Sequence, residues 1–140
     1  MATTSISTPL PAGLTEPQVL AALHNHDLMI KTLCTSLISY EFESGDKNSK
    51  ATYSITDKKP FGQTTYTLTL TNLPTGTDSL VNAKPPVGTL TIAGKWRVAD
   101  GKLVEDVEIE GNFVTKKMAK GNVEKTHPEQ HTRLLEKAGA

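Results

Sequence analysis

Cysteine occurs once in this chain, at Cys34, which excludes an internal disulfide and any CxxC zinc pattern and suits a reducing compartment. No charge of one sign prevails: 15 basic residues stand against 15 acidic ones, and like charges never run beyond a few residues. The broad basic field of a nucleic-acid binder is therefore missing, and neither nucleic acid nor an anionic membrane is expected as a partner. No window approaches the ~18 apolar residues of a membrane span. The opening segment MATTSISTPLPAGL has no basic start before an apolar run and none of the arginines of a mitochondrial presequence, so it reads as mature protein and the expected location is cytoplasmic. There is no Asn-x-Ser/Thr sequon. Glycine-rich, phosphate-cradling motifs are absent too, which argues against nucleotide chemistry.

What is present fits one domain over residues 1–140, long enough for a hydrophobic core without staples. A short strand over 5–10 closes at Pro9 and Pro11. Thr15-Glu16-Pro17-Gln18 then reads as a capping box that starts a helix carrying Val19, Leu20 and Leu23 on one face. A break near Asn25 predicts a second short helix through Leu33.

From Ile38 the period changes to two. Ile38, Tyr40 and Phe42 alternate with polar residues, as do Ala51, Tyr53 and Ile55, and then Tyr66, Leu68 and Leu70. Turns are expected over 57–62 and at Pro74-Thr75-Gly76, and a weaker strand over 79–83 stops at Lys84-Pro85-Pro86. The clearest strand runs over 89–98, with Leu90, Ile92, Trp96 and Val98 on one face and Gly94 in the same row, where glycine permits a bulge. Asp100-Gly101 supplies the positive φ of a tight hairpin into a strand over 103–110. These are the six or seven strands of an antiparallel sheet with one apolar face, and such a sheet needs an apolar cover.

The last quarter, Asn112 to Lys137, carries the longest helical spacing in the chain. Val114, Met118 and Gly121 project to one side, whereas Val123, His127, His131, Leu134, Leu135 and Ala138 form a second stripe rotated away from it. Pro128 lacks an N–H and disfavours the α region at His127, and Thr126-His127-Pro128-Glu129 has the form of a fresh capping box. A kink or restart is therefore expected at Thr126.

This order of elements, an α+β arrangement of two short helices, a curved antiparallel sheet and a long kinked C-terminal helix, resembles the helix-grip fold of the START and birch-pollen-allergen (SRPBCC) superfamily over nearly the whole chain. More narrowly, TEPQVLAALHNHDLMIKT, AKPPVGTLTIAGKWRV and GNFVTKKMAKGNVEKTHPEQH resemble small single-domain fungal members of that superfamily. The resemblance implies a cavity between sheet and C-terminal helix that holds lipids, sterols, polyketides or plant-type aromatics. Some members only carry such molecules; others cyclise or dehydrate them. The superfamily shares no catalytic motif, so the resemblance assigns no residue a role, and a chain this short implies a small cavity.

Several residues are candidates for the chemistry. If Val107 and Ile109 point inward, alternation turns Glu105 inward with them, either as an acid or base at the cavity or as a wetted group at its rim. His127 and His131 stand four apart on the helix: one could serve as a general base, or both could border the packed stripe. That spacing also suits a metal, and His24 and His26 offer two more imidazoles, but no third ligand and no HExxH glutamate accompanies them. Neither a metal nor any other cofactor is expected. Tyr40, Tyr53, Tyr66 and Trp96 fall on the apolar strand faces, where each either shows a polar tip to a ligand or fills the core. Cys34 has no histidine placed to activate it and reads as a small buried hydrophobe. The segment 84–88 is a candidate lid or a stiff surface turn.

Three functions follow. The first is a cavity protein binding a small hydrophobic or aromatic metabolite. The second is a cofactor-independent cyclase, dehydratase or isomerase of fungal secondary metabolism using Glu105, His127 or His131. The third is a non-catalytic interaction module, such as a homodimer, with its cavity filled by its own side chains.

Overall fold

A computed structural model describes residues 2–60, 62–84 and 88–140. The elements follow the order β1 (Ala2–Pro9), α1 (Glu16–His24), α2 (His26–Leu33), β2 (Leu37–Gly45), β3 (Lys50–Lys59), β4 (Gly62–Leu73), β5 (Gly76–Ala83), β6 (Leu90–Ala99), β7 (Lys102–Glu110) and α3 (Phe113–Ala138). The strands form one seven-stranded antiparallel sheet in the order β1-β7-β6-β5-β4-β3-β2. β1 is thus added beside the last strand, and α3 lies across β1 and β7 while touching α1 and α2. This is a helix-grip α+β fold.

Local chemistry accounts for the short elements. Thr15 and Gln18 close the expected capping box: the Thr15 N–H donates to Gln18 Oε1 at 2.9 Å, and the Gln18 N–H donates to Thr15 Oγ1 at 3.3 Å. Asn25 ends α1 and starts α2, its N–H donating to the Ala22 carbonyl while its side chain accepts from the Leu28 N–H at 3.1 Å. Asp100 (φ 55°) and Gly101 (φ 73°) make the two-residue turn between β6 and β7.

Three expectations change. No restart occurs at Thr126, because α3 runs unbroken through Pro128. The Thr126 hydroxyl donates to the Asn122 carbonyl one turn back, as it does inside a helix, and does not cap a new one. The two apolar stripes need no change of direction: Val123, Leu134 and Leu135 are buried, whereas Val114 and Met118 face solvent beside Phe113. Second, Gly94 makes no bulge, since β6 keeps continuous register with both β5 and β7. Register shifts fall instead in β2, between Leu37 and Ser39 and between Phe42 and Ser44, and on this edge strand Ile38 and Phe42 are exposed. Third, Asp57 is no turn residue; β3 extends through it. Within the lid candidate over 84–88, Pro85, Pro86 and Val87 lie outside the described residues.

The core has two apolar clusters. The larger joins Leu23, Ile30, Leu68, Trp96, Leu103 and Leu134 among others; the smaller contains Val107, Ile109 and Val123. Along β7 the inward positions read Leu103, Glu105, Val107, Ile109, and the burial pattern confirms that alternation. One carboxylate therefore falls on the seam between the two clusters.

Candidate functional site

A carboxylate in such a place must find donors or become neutral. Glu105 is 1% exposed and finds two imidazoles on α3. Its Oε2 stands 2.7 Å from His127 Nδ1 and its Oε1 stands 3.0 Å from His131 Nε2. The four-residue spacing places Val123, His127 and His131 in a row above β7, so α3 matches the strand's own sequence of apolar, acidic, apolar. Burial alone would raise the Glu105 carboxyl, but the two imidazole hydrogen bonds and the charge those rings carry when protonated hold it below the ordinary carboxylate range. Further back, His131 Nδ1 lies 2.9 Å from Thr8 Oγ1 on β1. Trp96, cross-strand from Glu105, packs its ring 4.9 Å from that of His131 and 6.3 Å from that of His127.

Gly94 makes room for this group. A Cβ there would stand 2.7 Å from Ser79 Oγ, 3.2 Å from Trp96 Nε1 and 3.3 Å from Glu105 Oε2.

The front of the group opens on a cavity of about 630 Å³ between the sheet and α3. Apolar side chains from several strands line it, including Leu68, Val81, Leu90 and Ile92, with Val123 from α3; Glu105 and His127 reach it from one side. A second polar group reaches it through Asp57, Tyr66 and Cys34. The Tyr66 hydroxyl lies 2.9 Å from Asp57 Oδ2 and 3.1 Å from Cys34 Sγ. Burial, reinforced by the Asp57 charge, pushes the Cys34 thiol up to about 11. That leaves almost no thiolate at neutral pH, so Cys34 is a packing residue and not a nucleophile.

Of the residues singled out in the sequence, Glu105, His127 and His131 meet in one hydrogen-bonded group, and Tyr66 lines the cavity. Tyr40, Tyr53 and Trp96 are not among the lining residues. Tyr53 is buried and bonds His26 Nδ1 at 2.8 Å, and the Tyr40 hydroxyl donates to Asp27 at the edge of α2. Trp96 lies under the histidines. His24 and His26 are tied to the β4–β5 turn through Leu73, Gly76 and Asn72 and are not among the cavity-lining residues. Among the described residues no His, Cys, Asp and Glu group is arranged to hold a metal ion. The sequence reading missed Asp57, Thr8 and Gln130, the last lining the cavity from α3 while its Nε2 donates to the Leu33 carbonyl at 3.4 Å. Asp57 continues the period-two row of Tyr53 and Ile55, and that row was the signal that could have found it.

A family model described as Domain of unknown function (DUF7053) matches residues 1–140. The chain belongs to that family. No curated protein sequence matches it. Solved structures show its fold. This DUF7053 chain superposes on Ara h 8.0201 with a TM-score of 0.67 at 12% identity, covering 98% of this chain and 97% of the other. A conserved protein from Geobacillus kaustophilus gives 0.64 at 15% identity, with 98% and 93% covered. The Zhui aromatase/cyclase from Streptomyces sp. R1128 gives 0.61 at 11%, with 99% and 92% covered. The DUF7053 chain therefore has the START and birch-pollen-allergen-like fold, and no described helix is long and apolar enough to cross a membrane.

Proposed function

We propose that this protein binds a small hydrophobic or aromatic molecule in the cavity between sheet and α3. The observation that carries the reading is the cavity itself: about 630 Å³, with an aliphatic patch from Leu68, Val81, Leu90, Ile92 and Val123 set among polar side chains that include Asp57, Glu105 and His127. A concave site of this size that joins apolar surface to convergent polar groups suits a small molecule. The same volume argues against an interior closed by its own side chains, which is what a plain interaction module would have. Native mass spectrometry of the protein purified from its own source tests the proposal. A small molecule released on denaturation is expected, whereas a bare protein that also takes up no apolar probe would count against it.

A second reading is favoured by one feature. His127 reaches the cavity with its far side backed by Glu105, the pairing that makes an imidazole a general base and stabilises the cation it becomes. One neighbour in fold, the Zhui protein, is named an aromatase/cyclase. On this reading His127 removes a proton next to a carbonyl of the bound molecule and returns it elsewhere, with Glu105 and His131 as positioning residues. The test is deuterium exchange at the acidic CH₂ groups of 2-tetralone, followed by NMR. Exchange above the buffer rate that disappears in His127→Asn supports catalysis; buffer-rate exchange with the ketone bound leaves only carriage.

A further inference from the structure

The two imidazoles share one acceptor, and this fixes where their protons are. An ionised carboxylate accepts hydrogen bonds and donates none. Glu105 is held in that form by its surroundings, so both rings must donate to it: His127 through Nδ1–H at 2.7 Å and His131 through Nε2–H at 3.0 Å. In the state where both rings are uncharged, each has a single N–H, which Glu105 takes, and a bare nitrogen is left on each ring. On His131 that nitrogen is Nδ1, and the Thr8 hydroxyl donates to it at 2.9 Å. On His127 it is Nε2. Among the described residues no hydrogen bond reaches this atom, and the His127 side chain is 13% exposed and lines the cavity.

We infer that Glu105 locks His127 in its Nδ1-protonated neutral tautomer and so presents a bare Nε2 acceptor to the cavity, which selects a neutral ligand with a strong hydroxyl donor, a phenol or an enol. This deepens the binding reading above and rests on it. The other charges around the cavity narrow the class. Two lysines, Lys59 and Lys84, and two carboxyl groups, Asp57 and Glu105, line it, so charge of neither sign prevails to draw in an ion. Neutral molecules remain, and the aliphatic patch favours aromatic ones over sugars or simple alcohols. A phenol supplies both the ring and the donor. An ether of the same shape leaves Nε2 desolvated and unpaired, the costly outcome that makes a hydrogen-bonding site reject an analogue lacking its hydrogen.

Two measurements test this on the intact protein. A long-range ¹H–¹⁵N spectrum at pH 8 reads the tautomer directly, without any ligand: His127 is expected to show a protonated Nδ1 and an unprotonated Nε2. A His127 with the proton on Nε2, or on both nitrogens, overturns the inference. The second is calorimetric titration with 2-naphthol and 2-methoxynaphthalene. The naphthol is expected to bind about tenfold more tightly than its ether. His127→Asn keeps a donor for Glu105 in place of Nδ1–H and removes Nε2, so it should abolish the preference, with naphthol and ether binding equally. Equal binding of both probes to the native protein overturns the hydroxyl preference and leaves the cavity reading standing. Failure of both probes to bind overturns both readings.

Discussion

Glu105 shows how a single side chain can serve packing and chemistry together. It lies between two apolar clusters, where an unpaired charge would be very costly, and both its oxygens are occupied. Truncating it strands two imidazoles and opens a void, so Glu105→Ala should lower the unfolding free energy by about 3 kcal/mol, read from urea denaturation at pH 7. The pH dependence follows from the sign of the shift. The folded carboxyl titrates below the unfolded value near 4.5, so the native state binds fewer protons than the unfolded state as pH drops. The stabilisation is in place above that value and is lost as pH falls through the lower, folded one. The stability gap between wild type and Glu105→Ala should therefore hold above about pH 4.5 and close below it. A gap that widens in acid would mean that the carboxyl is raised by burial and enters the fold protonated. His26 adds a separate acid sensitivity to both proteins, because burial lowers its pKa and the unfolded chain takes up the proton first.

At the scale of elements, α3 carries the lesson about what a sequence can tell. Its buried stripe is legible from spacing alone, since Val123, His127, His131, Leu134 and Leu135 recur on one face and most of them are buried. The continuity of the helix is not legible. Pro128 and Thr126 satisfy every local rule for a restart, and tertiary contacts override them: the Glu105 bonds hold the turns on both sides of Pro128 against β7. The same limit applies to the site. Alternation along β7 turned Glu105 inward, but only the sheet order, which puts β1 beside β7, could bring Thr8 to His131. Asp57 was lost because a polar residue ending an apolar row looks like a turn. If α3 tolerates Pro128 only because of those contacts, replacing it restores a helical N–H to the Glu124 carbonyl and removes ring strain. Pro128→Ala should then raise stability by about 2 kcal/mol with unchanged helix content by circular dichroism, the loss of unfolded-state rigidity taking back part of the gain. A destabilised variant would show that the proline shapes the helix for its seat on the sheet.

At the scale of the molecule, the parts divide the work. α1 and α2 are pinned to the β4–β5 turn by His24, His26 and the Thr77 hydroxyl, which donates to the Leu23 carbonyl at 2.8 Å. That arrangement fills one end of the grip. The other end is left open under α3, where the cavity lies between Ile92, Val81 and Val123, with His127 at its polar wall. A fold stabilised chiefly at one end can keep space at the other without losing its core. The most direct measurement is a methyl and histidine NMR titration with 2-naphthol. Saturable, one-to-one shifts are expected at Leu68, Val81, Ile92, Val123 and His127, with Leu23 and Ile30 unmoved. Shifts confined to the exposed side chains Phe113, Val114 and Met118, or none at all, would contradict the cavity reading.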